Sequence, residues 1–267
     1  TDLPLLSEPN LQQQLVEIGY QGKKLEELES LSTAEKANML FIVQDPYTSY
    51  YDAKVVRDFV ALTQKLGFEP ILLPFKPNGK AMHIKGFLTR FSKTAKTQAE
   101  FLNRVAKLNV PLVGVDPAIV LSYRDEYKEA LGDSRGDFHV LTAHEWLTNQ
   151  LESNALQSAV KNIAKSDHTF EWHLFPHCTE STFMPNSPKE WQHIFAQFGQ
   201  TLKVEKVGCC GMAGVFGHEV QNQTMSKDIY DVSWGKKLQG KDPNHCLATG
   251  YSCRSQVKRY EKAILKH

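Results

Sequence analysis

The chain has 267 residues, 41% hydrophobic and 23% charged, with a formal net charge of +1. That composition belongs to a globular chain able to bury real cores, as one large domain or two of ordinary size. It lacks the field that steers nucleic acid or acidic membranes, no nucleic-acid motif is present, and no apolar run approaches the ~20 residues that span a bilayer.

The first thirty residues carry Gln, Glu and Lys and no apolar signal-peptide core. The chain starts at Thr1 without a Met, as a processed protein or a piece of a longer one would. Residues 1–35 read as an N-terminal helical extension. From there short apolar runs alternate with amphipathic helical stretches, the pattern of an α/β fold with parallel sheets. Strands are predicted at 38–43, 70–73, 111–115, 170–175, 202–207 and 246–249. Val55, Phe59, Leu62 and Leu66 share one helical face ahead of Gly67, a C-terminal stop. Trp191, Phe195 and Phe198 do the same ahead of Gly199, with Ser187-Pro188 as cap and first turn.

These two stretches belong to an internal repeat. A shift of about 132 positions lays Phe41–Pro46 on His173–Cys178, Leu66-Gly67 on Phe198-Gly199, and Pro77-Asn78-Gly79 on Cys209-Cys210-Gly211. The expectation is two like units packed as a pseudo-two-fold pair, each a small parallel sheet flanked by helices. The boundary falls near Gly132–Gly136, giving a first unit at 36–140 and a second at 141–267, with 141–164 as a helical bridge.

All five cysteines lie in the second half: Cys178, Cys209, Cys210, Cys246 and Cys253. Their odd number and the missing secretion signal argue for reduced, cytoplasmic thiols rather than a disulfide framework. A strained vicinal disulfide between Cys209 and Cys210 is the competing reading. The glycines of Gly208-Cys209-Cys210-Gly211 permit positive φ and close backbone approach. Cys178, the Cys209-Cys210 pair and Cys253 each follow a predicted strand. Loops at the carboxyl ends of parallel strands converge above the sheet edge, so the three segments are expected to meet. Sulfur converging from separate loops is what a zinc or iron–sulfur site requires.

Cys178, Cys209, Cys210 and Cys253 are the expected ligands, with Cys210 either the fourth ligand or turned away. His218, His177 and Cys246 are further candidates. Their alternatives are a capping histidine, a supporting neighbour and a buried small residue. Arg254 is expected to stabilise thiolate charge. In the first unit Pro46, Pro77-Asn78 and Ile119 or Val120 stand where cysteines would be. That half keeps a polar set of Asp45, Lys76, Asn78, Lys80, His83 and Lys85, read as a solvated loop or as a docking or anion-binding surface.

Cys178, Cys209-Cys210-Gly211 and Cys253 resemble the cysteine-rich CCG domain found in heterodisulfide reductases and in related iron–sulfur oxidoreductases. The resemblance implies two tandem Rossmann-like CCG repeats, the first degenerate. It also implies a 4Fe-4S cluster or a zinc ion on the cysteines of the second. One departure is Gly250, which stands where the family's last motif often carries a cysteine.

A wider match covers nearly the whole chain. Val43-Gln44-Asp45-Pro46-Tyr47-Thr48-Ser49-Tyr50, Pro74-Phe75-Lys76-Pro77-Asn78-Gly79-Lys80, Ser122-Tyr123-Arg124-Asp125-Glu126-Tyr127, Gly208–Glu219 and Ala248–Gln256 are its distinctive segments. They look like the C-terminal part of large bacterial FAD-linked oxidases of the D-2-hydroxyglutarate dehydrogenase type. This resemblance implies an oxidoreductase in which hydride passes from a D-2-hydroxyacid to FAD in another domain. Electrons then pass through iron–sulfur centres to an acceptor that the sequence does not name. FAD and ferredoxin-like domains of the same parent chain are the implied partners, and this fragment alone is expected to be inactive. The alternative is a structural zinc-binding interaction domain of the same enzyme, without electron transfer. The implied location is the cytoplasm, with peripheral association at the inner membrane and homo-oligomerisation left open.

Overall fold

The computed structural model describes residues 4–153, 155–156, 160 and 170–267. Contacts divide the chain within the helix Ala143–Glu152, into one unit spanning Leu6–Trp146 and another built on Leu147–His267. Each unit contains one all-parallel sheet flanked by helices.

In the first unit the strands are β1 (Met39–Val43), β2 (Glu69–Leu72), β3 (Leu112–Gly114) and β4 (Val140–Thr142), in the order β2-β1-β3-β4. β1 is buried along its whole length, which is why it reads as an unbroken apolar run instead of an alternating one. The helix Ala53–Lys65 buries Val55, Val56, Phe59 and Val60, and Gly67 follows it at φ 87°, in the left-handed region that glycine adopts without strain. The longer helix Leu88–Ala106 buries Phe91, Ala95, Ala99, Leu102 and Val105, a face at helical spacing. Its Phe91 meets Tyr127 edge-on, and Tyr127 in turn meets Tyr123, so the core closes on aromatic contacts.

β4 is the element that the sequence reading does not contain. Residues 141–142 are strand, paired with β3, rather than the start of a helical bridge. Only three residues long, β4 runs straight into the helix Ala143–Glu152, so the helical period masks it. The helix Ala143–Glu152 occupies the next part of the expected bridge, and residues 154, 157–159 and 161–164 lie outside the described residues.

In the second unit β5 (Glu171–Phe175), β6 (Thr201–Val204) and β7 (Cys246–Ala248) take the order β6-β5-β7. The first three strands of each sheet thus share one order, second-first-third. The registers agree as well. Met39 pairs with Glu69 as Glu171 pairs with Thr201, and Phe41 pairs with Leu112 as His173 pairs with Cys246. The core of this unit gathers Phe175, Met212, Tyr230, Trp234, Ala248 and Val257, and it includes Cys210, Cys246 and Cys253. Trp234 is fully buried and its indole N–H donates to the carbonyl of Gly208 at 3.1 Å, tying the cysteine turn to the core.

Candidate functional site

Cys178 is the first residue of the helix Cys178–Phe183, which begins three residues after β5. Its N-cap is His177, whose Nδ1 accepts from the Thr179 N–H at 3.2 Å. Cys253 lies in the helix Tyr251–Glu261 after β7 and is 1% exposed. Cys209 and Cys210 occupy the turn after β6, and Cys210 is 3% exposed.

That turn is fixed by several bonds. Gly208 N–H donates to Ser233 Oγ at 2.7 Å, and Gly211 N–H to Cys209 Sγ at 3.3 Å. Ser226 Oγ donates to the Gly211 carbonyl at 2.7 Å, and Gln256 Nε2 to the Cys210 carbonyl at 3.0 Å. Gly211 has φ +83°, and a Cβ there would lie 2.1 Å from the Ser226 carbonyl oxygen. No side chain fits at Gly211.

The four cysteines of the three loops act on one another. The Cys209 thiol is pushed far down, first by the hydrogen bond from Cys178, then by that from Cys210, with help from the Gly211 and Ala213 amides. Cys178 is pushed up by its bond to Cys209, by burial and by the neighbouring Cys253. Cys210 is pushed up by its bonds to Cys209 and Cys253 and by burial. The charged form is thus favoured at Cys209 and disfavoured at Cys178 and Cys210.

The thiols of Cys178, Cys209, Cys210 and Cys253 thus lie close enough to perturb one another's ionisation. Among the described residues no three or more His, Cys, Asp or Glu are grouped as if already around a metal ion. The donor set, four thiols on three loops, is nonetheless of the chemical kind that holds zinc or an iron–sulfur cluster.

The other candidates have different surroundings. Both ring nitrogens of His177 are engaged, Nδ1 by Thr179 N–H and Nε2 with Ser252 Oγ at 3.2 Å. Its ring lies against Gly250, where a Cβ would come 2.3 Å from His177 Cδ2. His177 thus fills the space that a side chain at position 250 would need. His218 Nδ1 bonds to the Arg259 guanidinium at 2.9 Å. Cys246 opens β7, is fully buried, and is pushed up to about 11 by burial, with Lys241, Asp242 and Glu205 as its charged neighbours. Arg254 donates to the carbonyls of Ala248 and Thr249, while thiols and backbone amides hold Cys209 down.

Sequence reasoning missed Glu180, Ser226, Thr249 and Gln256 as parts of this site. Glu180 is fully buried and accepts from Trp191 Nε1 at 3.1 Å, from Ser187 Oγ and from Thr249 Oγ1. A buried acid two residues after a cysteine, and a Gln one helical turn past another, were the available signals.

At the same edge of the first sheet stand oxygens. Asp45 and Asp116 are 2% and 3% exposed and cap the helices Pro46–Tyr50 and Pro117–Arg124 through the amides of Tyr47, Thr48, Ala118 and Ile119. Burial, then the nearby charge of Asp116, pushes Asp45 up to about 6. Asn78 is buried and its carbonyl accepts from Tyr127 Oη at 2.7 Å. Lys80 pairs with Glu126, His83 packs on Phe91 and Lys76 lies over the Phe101 ring.

Fold and site together define an α/β chain of two parallel sheets, one of which gathers four thiols at its strand ends. No protein-family model matches the chain. Its full length is similar to proteins named D-2-hydroxyglutarate dehydrogenase. The chain is 81% identical to that of Haemophilus influenzae over 267 residues, 57% to that of Escherichia coli over 266, and 39% to that of Pseudomonas putida over 266. It covers 26% of the first protein and 25% of each of the others, so it spans about a quarter of the length of the curated relatives it matches.

Proposed function

We propose that this chain is the C-terminal part of a flavin-dependent D-2-hydroxyglutarate dehydrogenase and carries its CCG region, duplicated, with one thiolate-held group in the second copy. The observation that carries this is identity of 81% along the whole chain to a protein of that name, with four thiols gathered in one place. Cys178, Cys209, Cys210 and Cys253 would hold the group. A 4Fe-4S cluster there would supply one-electron transfer from FAD toward an acceptor. The chain's own part is to gather the sulfurs, exclude water from Cys210 and Cys253, and stabilise charge on Cys209 through backbone amides.

A specific observation favours a second version, a single structural zinc. The candidate ligands are four thiols from three loops, and a four-thiolate set is a common structural zinc site. That ion would brace the second unit and carry no electrons.

Elemental analysis and a visible spectrum of anaerobically purified chain separate the two. Iron with inorganic sulfide and broad visible absorption supports electron transfer, whereas stoichiometric zinc in a colourless protein rejects it for this region. The full-length enzyme should reduce an artificial acceptor dye with D-2-hydroxyglutarate, and indifference to that substrate rejects the parent assignment.

A further inference from the structure

The three cysteine loops are joined by buried polar bonds that do not involve sulfur. Glu180 is 0% exposed and lies in the helix that Cys178 opens. One carboxylate oxygen accepts from Trp191 Nε1 at 3.1 Å and from Ser187 Oγ. The other accepts from Thr249 Oγ1, which itself accepts from the His177 N–H at 2.9 Å. His177 precedes Cys178 in the chain, and Thr249 leads from β7 into the helix of Cys253.

A buried carboxylate is costly to keep, and apolar residues of similar volume often serve packing as well or better. Here one oxygen fixes the helix of Cys178 to the helix Ser187–Gln197, and the other ties it to Thr249, at the entry to the helix of Cys253. We propose that Glu180 is a positioning residue for the cysteine site, setting the spacing of the Cys178 and Cys253 sulfurs through Thr249 and His177. This rests on the reading of the four cysteines as ligands. Supporting groups of this kind, one bond removed from a ligand, change metal affinity by about 10- to 100-fold when altered.

The test titrates cobalt(II) into the reduced, metal-free 267-residue chain and into Glu180→Gln, with thermal unfolding of both metal-free proteins recorded alongside. Glutamine keeps the shape, but its amide protons must face either the Thr249 hydroxyl or the Trp191 N–H. The expected result is a loss of cobalt affinity of about 10- to 100-fold and a changed cobalt–thiolate absorption spectrum. Thr249→Val, which removes one hydroxyl and keeps the side-chain shape, should show the same loss and serves if Glu180→Gln does not fold. A merely structural role would lower the unfolding temperature and leave the affinity and spectrum of the folded protein unchanged, and that result overturns the proposal. A wild-type chain that takes up no cobalt refutes the ligand reading itself, and this proposal with it. The two failures are thus told apart by the wild-type titration.

Discussion

The carboxyl edges of the two sheets present different chemistry on the same strand order. At the first, Asp45 and Asp116 close helix N-termini through backbone amides, and Tyr127 Oη donates to the Asn78 backbone carbonyl. At the second, Cys178, Cys209, Cys210 and Cys253 come from three loops and bond to one another. Oxygen at such an edge serves local capping, whereas sulfur, a poor cap, has been gathered at one point. The difference teaches that one strand order can carry either oxygen caps or gathered thiols on its loops.

The largest expected effect falls on the sulfur side alone. Cys209→Ser and Cys253→Ser should each abolish metal retention, measured as metal per chain, while Cys246→Ala should retain it because that thiol belongs to the strand core. Retention in both serine variants would break the distinction between the two edges.

Next in size is a matched pair of glycines. Gly211 and Gly79 have φ of +83° and +77°. Gly211→Ala drives a Cβ to 2.1 Å from a backbone carbonyl oxygen and should cost roughly 3 kcal/mol or more. A denaturant series on both variants should show Gly79→Ala costing less, about 1–2 kcal/mol, because its Cβ meets side chains rather than backbone, the Phe91 ring at 2.9 Å and Thr94 Cβ at 3.5 Å.

Comparable to the Gly211 effect is a pH effect on the oxygen side. Asp45 is raised to about 6 in the folded chain from an ordinary value of 3.8, so the folded state holds the proton more tightly than the unfolded one. Its contribution to stability should therefore fall as pH rises from about 4 to about 6, by on the order of 3 kcal/mol in all. Asp45→Asn keeps a side-chain oxygen for the cap and should flatten that slope in urea unfolding at several pH values. An unchanged slope would place the titration elsewhere.

Much of this was legible before the structure. The apolar run of β1, the stops at Gly67 and Gly199 and the α/β alternation are local signals. So is the placing of cysteine segments after strands. β4 was hidden because three residues leading into a helix carry no strand period. The fit of His177 against Gly250, and the reach of Glu180 to Thr249 and of Gln256 to the Cys210 carbonyl, are contacts across 46 to 73 positions or arise from packing that no local pattern records. They decide how the cysteines are held, and only the folded chain displays them.

The central claim is that one thiolate site exists, in the second unit only. Metal and sulfide content per chain, measured after anaerobic purification, tests it most directly. The account predicts a single site, either one zinc or one four-iron cluster, lost in Cys209→Ser. Two sites per chain, none, or one that survives that substitution would contradict it.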